Sequence, residues 1–138
     1  MASGGEVDRI AAEFGVHFVN HTRRAGGRHQ SKARRTCQTI LKKHGAGHLR
    51  LVFGLIDTEK NRGNWSAPCL TAVSWLAANK PEWVERRDFL EAFDRLDLEA
   101  LLERAKRINP GAPTLTLSVL ISYELDRLMA ERRAERAA

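Results

Sequence analysis

Long apolar runs are missing from this 138-residue chain. No stretch approaches the roughly 20 consecutive apolar residues that a membrane-spanning helix needs, so no membrane partner is expected. A basic leader followed by an apolar run is missing too. The chain begins Met1-Ala2-Ser3-Gly4-Gly5, and the expected location is the cytoplasm. Cysteine is scarce: Cys37 and Cys69 stand far apart, without a CxxC, each inside an apolar helical stripe. Two buried, reduced thiols are expected.

Signatures of chemistry are absent as well. There is no GxSxG, and no cysteine stands beside a histidine in a known pattern. Gly45-Ala46-Gly47 is followed by no GK[ST], and no GxGxxG occurs, so no phosphate-cradling loop is expected. The acids Asp88, Glu91, Asp94, Asp97 and Glu99 alternate with apolar positions and read as helix caps and solvated faces. With no site nominated, the chain is expected to be no enzyme and to need no cofactor.

Histidine spacing raises the question of a metal. His17 and His21, and His44 and His48, both have the i, i+4 separation that can present two imidazoles to zinc. Neither pair has the following Glu of a metalloprotease helix. Gly45 and Gly47 interrupt the second pair, so its rings are not expected to share a helical face, and Cys37 could add a thiolate only from about two turns away. A closed zinc site wants four ligands at recognisable spacing, and none is expected.

What is present is charge, unevenly placed. The net charge is +6. Residues 1–50 hold ten Lys and Arg against three Asp and Glu, a balance of +7; residues 51–138 hold thirteen against fourteen, a balance of −1. All five histidines also lie in the first part. Such asymmetry bears on partners, chiefly polyanions, and not on fold. The plain alternative is a solvated basic segment.

Apolar residues make up 43% of the chain, enough for one core, and their periodicity is helical. Val7, Ile10, Ala11 and Phe14 predict a short first element within residues 6–19. Asn20 to Gln30 has no periodicity, and Gly26-Gly27 in a basic run predicts a flexible loop. Ser31 can cap a helix over Lys32–His44 with Ala33, Cys37, Ile40 and Leu41 inward, stopped by Gly45. The next helix, His48–Glu59, is apolar over most of its girth and should be central. Ser66 caps a helix with Pro68 in its first turn and with Cys69, Ala72, Val73 and Leu76 buried. A helix within Trp83–Leu96 turns Phe89, Leu90 and Phe93 inward. Asp97 caps another, with Leu98, Leu101, Leu102, Ala105 and Ile108 inward. After Asn109–Pro113, Thr114 or Thr116 opens the last helix, which frays from Glu131.

The expected fold is therefore all-α, a compact bundle of about six helices with a flexible basic N-terminal arm. Residues 1–30 form the arm, 31–130 the helical domain and 131–138 a frayed tail. Val119, Tyr123 and Met129 leave a second apolar face on the last helix, which suits a homodimer.

The cations of the arm and of the first strong helix, Arg23, Arg24, Arg28, Lys32, Arg34, Arg35, Lys42 and Lys43, are the candidate nucleic-acid-binding residues. A helix face and a glycine-containing arm can place cations at the intervals that phosphates require. No aromatics interleave with them in the chain, which argues against single-strand stacking. A helix-turn-helix formed by residues 48–59 and 66–79 is disfavoured. The second helix carries no Lys or Arg, and Trp75 and Leu76 give it a buried look.

Three stretches, Gly47-His48-Leu49-Arg50-Leu51-Val52-Phe53-Gly54-Leu55-Ile56, Ala72-Val73-Ser74-Trp75-Leu76-Ala77-Ala78 and Leu90-Glu91-Ala92-Phe93-Asp94-Arg95-Leu96-Asp97-Leu98, occur in that order. Together they resemble the helical region that follows the ParB-type domain in ParB-like proteins of alphaproteobacterial chromosomes, plasmids and prophages. The resemblance covers residues 30–128. The ParB-type N-terminal domain, with its nucleotide-handling motifs, has no counterpart here, so the resemblance implies a mobile-element or partition-associated helical module without nucleotide hydrolysis. The expected function is that of a small DNA-associated accessory or regulatory protein of a phage or plasmid. The rival expectation is a protein-binding inhibitor or adaptor, such as an anti-CRISPR-like protein, acting by surface occlusion.

Overall fold

The computed structural model of the protein describes residues 2–18 and 32–137. Among them are eight helices and no strand: α1 (Ala2–Glu13), α2 (Lys32–His44), α3 (Ala46–Ile56), α4 (Ala67–Asn79), α5 (Pro81–Val84), α6 (Arg87–Arg95), α7 (Leu98–Ile108) and α8 (Pro113–Ala137). The fold is all-α, with more helices than the periodicity resolves because the segment around Trp83 divides into α5 and α6.

Local chemistry sets several boundaries. Ser66 Oγ accepts from the Cys69 amide at 3.4 Å, and Asp97 Oδ1 accepts from the Ala100 amide at 3.0 Å, so both caps act as their residue types predict. Gly45 ends α2 with φ +90° and donates its amide to Leu41 O at 2.8 Å. That left-handed conformation suits glycine and lets α3 start one residue later.

The core is continuous. α4 packs against α2 and α3 and also against α8, which in turn packs on α6 and α7. Phe53, Phe89 and Phe93 are fully buried, each contributing about 1.5–3 kcal/mol by leaving water. α1, placed by sequence in the arm, supplies Val7, Ile10 and Ala11 to this core, and Phe14 stacks on Phe53 with centroids 5.5 Å apart.

One buried polar side chain holds a turn. Asn61, fully buried, donates Nδ2–H to Leu96 O at 3.0 Å and accepts from the Leu98 amide at 2.9 Å. It thereby satisfies two backbone groups where the chain passes from α6 to α7. In the sequence, Asn61-Arg62-Gly63-Asn64 reads only as a turn.

Three stripe assignments are corrected, and Trp75, which gave α4 a buried look from outside its stripe, is 45% exposed. Leu90 and Ile108, expected inward, are 49% and 61% exposed. Leu90 lies on the solvent side of α6, while Ile108 is the last residue of α7, where the packed face ends. Met129, expected on an exposed face, is buried, because it continues the inner stripe set by Ile121, Leu125 and Leu128. The expected fraying from Glu131 is not seen either, since α8 continues to Ala137. Arg132 donates to Glu91 of α6 at 2.9 Å, and Arg136 lies 2.6 Å from Asp88 as an ion contact not aligned as a hydrogen bond. These pairs tie the last turns of α8 down on α6.

Candidate nucleic-acid interface

α2 is amphipathic, and its cations divide into two sets. At about 100° per residue, Lys32, Arg35, Lys42 and Lys43 fall within an arc of roughly 100°, opposite the buried Cys37 and the half-buried Leu41. All four are exposed, and none makes an ion pair among the described residues. The face also carries Thr39, whose hydroxyl donates to Arg35 O at 3.2 Å.

Arg34 lies outside that arc, on the side toward α1. Its Nε and Nη2 reach the two carboxylate oxygens of Asp8 at 2.9 and 2.8 Å, a bidentate pair. α1 engages a second early cation in the same way: Arg50 of α3 donates to Glu13 at 3.0–3.3 Å, and the guanidinium holds the Glu13 carboxyl below its ordinary range. Two of the ten cations before residue 51 thus serve the fold. Arg23, Arg24 and Arg28 lie outside the described residues, as does the Ser31 cap.

The end of α2 differs from expectation. The turn at Gly45 brings His44 and His48 together, with ring centroids 4.4 Å apart and planes tilted by 32°. Gly45, which was to help separate the pair, instead turns the chain at φ +90° so that the two rings meet. His48 Nε2 lies 3.0 Å from Ser74 Oγ of α4. Burial, with the charge of His44 second, lowers the His48 pKa, against the smaller opposing effect of the Ser74 bond. No group of three or more His, Cys, Asp or Glu that could hold a metal occurs among the described residues. Both cysteines are free and buried. Burial pushes the Cys37 thiol up to about 12 and raises Cys69 as well, so both stay protonated near neutral pH.

Sequence spacing also missed an aromatic neighbour. A cleft of about 210 Å³ between α2 and α4 is lined by Thr36, Thr39, Lys43, His44, Trp75 and Asn79. Cations and aromatics that do not interleave along the chain therefore adjoin in space, because α4 carries Trp75 to the edge of the cationic face. The only sequence signal was that Trp75 falls outside the Cys69, Ala72, Val73 and Leu76 stripe. No helix among the described residues is long and apolar enough to cross a membrane. Compared with known proteins, the chain matches no family model, no curated protein and no solved structure.

Proposed function

We propose that this chain is a small DNA-associated accessory or regulatory protein without catalytic activity, of the kind carried by phages and plasmids, and that it holds the phosphate backbone on the outer face of α2. The observation that carries this is the arc of Lys32, Arg35, Lys42 and Lys43, exposed together with no acid paired to them among the described residues. Lys32 and Lys43 stand eleven residues apart, about 16 Å along the helix axis, a span that covers several phosphates of one strand. Arg34 is left out of the contact set, because Asp8 holds it. Arg23, Arg24 and Arg28 precede the face in the chain and extend the set in this proposal. The resemblance to the ParB-associated helical region supports the same class of role, its three stretches lying in α3, in α4, and from α6 into α7.

The test is a salt titration of binding to duplex DNA. Counterion release gives a slope of about −0.9 in log K against log salt for each phosphate neutralised. Four contacts on α2 therefore predict a slope of roughly −3 to −4, steeper if the three arginines join. Absence of binding at low salt contradicts the proposal. A single-stranded probe belongs in the same experiment, because Trp75 beside Lys43 offers an indole on which an unpaired base can stack.

A further inference from the structure

Six large apolar side chains stand exposed among the described residues, and four of them, Trp75, Leu115, Val119 and Tyr123, line one groove of about 380 Å³ between α4 and α8. α8 is apolar on two faces. Its inner stripe of Leu117, Ile121, Leu125 and Leu128 is buried by the bundle. Its outer stripe of Leu115, Val119 and Tyr123 is covered by nothing among the described residues. A helix with apolar residues on both sides is normally buried on both, and a clustered apolar surface of this kind marks an interaction site.

The outer stripe has a symmetry of its own. Leu115 and Tyr123 each stand four residues from Val119, one before it and one after, so the stripe is centred on Val119. Laid antiparallel on a second copy with Val119 facing Val119, each Leu115 meets the other copy's Tyr123. Asp126, which also lines the groove, lies seven residues past Val119, about 10 Å along the axis. In that register it faces the start of the other copy's α8. The first turn of α8 carries no acidic residue, and its unpaired amides bear partial positive charge. A second copy thus covers the apolar stripe and brings an anion to the helix end that lacks one. From this self-complementarity we infer that α8 is a homodimer interface, two copies packing antiparallel along the groove and crossing at Val119. The inference uses none of the α2 cations, although Trp75 borders both surfaces.

Sedimentation of the full chain, combined with cross-linking, tests it. The wild type should sediment at twice the 15.5 kDa chain mass and dissociate on dilution. Val119→Glu and Tyr123→Glu, both at exposed positions, should give monomers with unchanged helical circular dichroism. Val119→Cys should form a disulfide-linked dimer on mild oxidation, because only a residue at the two-fold axis faces its own copy. The buried Cys37 and Cys69 leave the wild type as a silent control. Leu115→Cys should cross-link to Tyr123→Cys in a mixture, and not to itself. A wild type that stays monomeric at its highest soluble concentration overturns the inference and leaves the groove to a partner protein. A dimer that survives both Glu variants, or one in which Leu115→Cys links to itself and Val119→Cys does not, overturns it as well.

Discussion

Arg34 of α2 grips Asp8 of α1 with both arms of its guanidinium, at 2.9 and 2.8 Å. The pair joins residues 26 apart in the chain and draws one cation away from its neighbours. It thereby distinguishes charge that serves the fold from charge that the fold leaves exposed. Replacing Arg34 by Ala should lower stability by about 0.2–1 kcal/mol, the range of exposed ion pairs. It should leave DNA affinity nearly unchanged. Denaturant unfolding and a binding isotherm on the same variant check both halves.

Asn61 should be one of the costliest polar positions to change. Asn61→Ala leaves Leu96 O and the Leu98 amide buried without their partner, at about 1–3 kcal/mol for each group. The expected result is a lower urea midpoint with an unchanged slope, which marks lost stability without a change in the surface exposed. A loss below about 0.5 kcal/mol, on the order of an ordinary surface substitution, would show that water reaches the turn.

His48 predicts a pH dependence. Its folded pKa lies below its unfolded value, so between the two the unfolded chain binds more protons and stability rises with pH. The contribution of the neutral ring is complete above the unfolded value near 6.5 and is lost as the pH falls through the folded value. Unfolding free energies measured from about pH 7.5 downward should therefore decline below about pH 6.5. His48→Gln should flatten that decline while keeping a polar group beside Ser74.

Glu91 fastens the end of α8. It accepts from Arg132, from Arg87 of its own helix and from Arg136, and Arg132 in particular holds its carboxyl below the ordinary carboxylate range. That contribution is present above the unfolded value near 4.5 and is lost as the pH falls through the folded value. Glu91→Gln should speed amide hydrogen exchange across residues 131–137 at neutral pH, with little change in α4. Equal exchange in variant and wild type would assign the order of that segment to helix propensity alone.

What could be foreseen from the sequence follows the range of the interactions concerned. Ser66 and Asp97 were readable as caps because each bonds an amide three residues on. The span of α2 was readable because its stripe, its charges and Gly45 agree locally. Leu90 and Ile108 went astray for a different reason. Periodicity shows which side chains could share a face, while burial depends on whether another element arrives to cover them. The pairing of His44 with His48 came from a left-handed turn that spacing rules treat only as a break. The cationic face was half visible: its helical arc follows from spacing, but the withdrawal of Arg34 needed Asp8, and the arrival of Trp75 needed the packing of α4.

Whether the α2 face meets phosphate is read most plainly from a comparison of salt slopes. Lys32, Arg35, Lys42 and Lys43 are replaced together by Ala, and duplex binding is titrated with salt beside wild type and Arg34→Ala. The four-residue variant should lose roughly 3 to 4 counterions from its slope while Arg34→Ala keeps the wild-type slope. Equal slopes for wild type and the four-residue variant would rule out phosphate contact on α2.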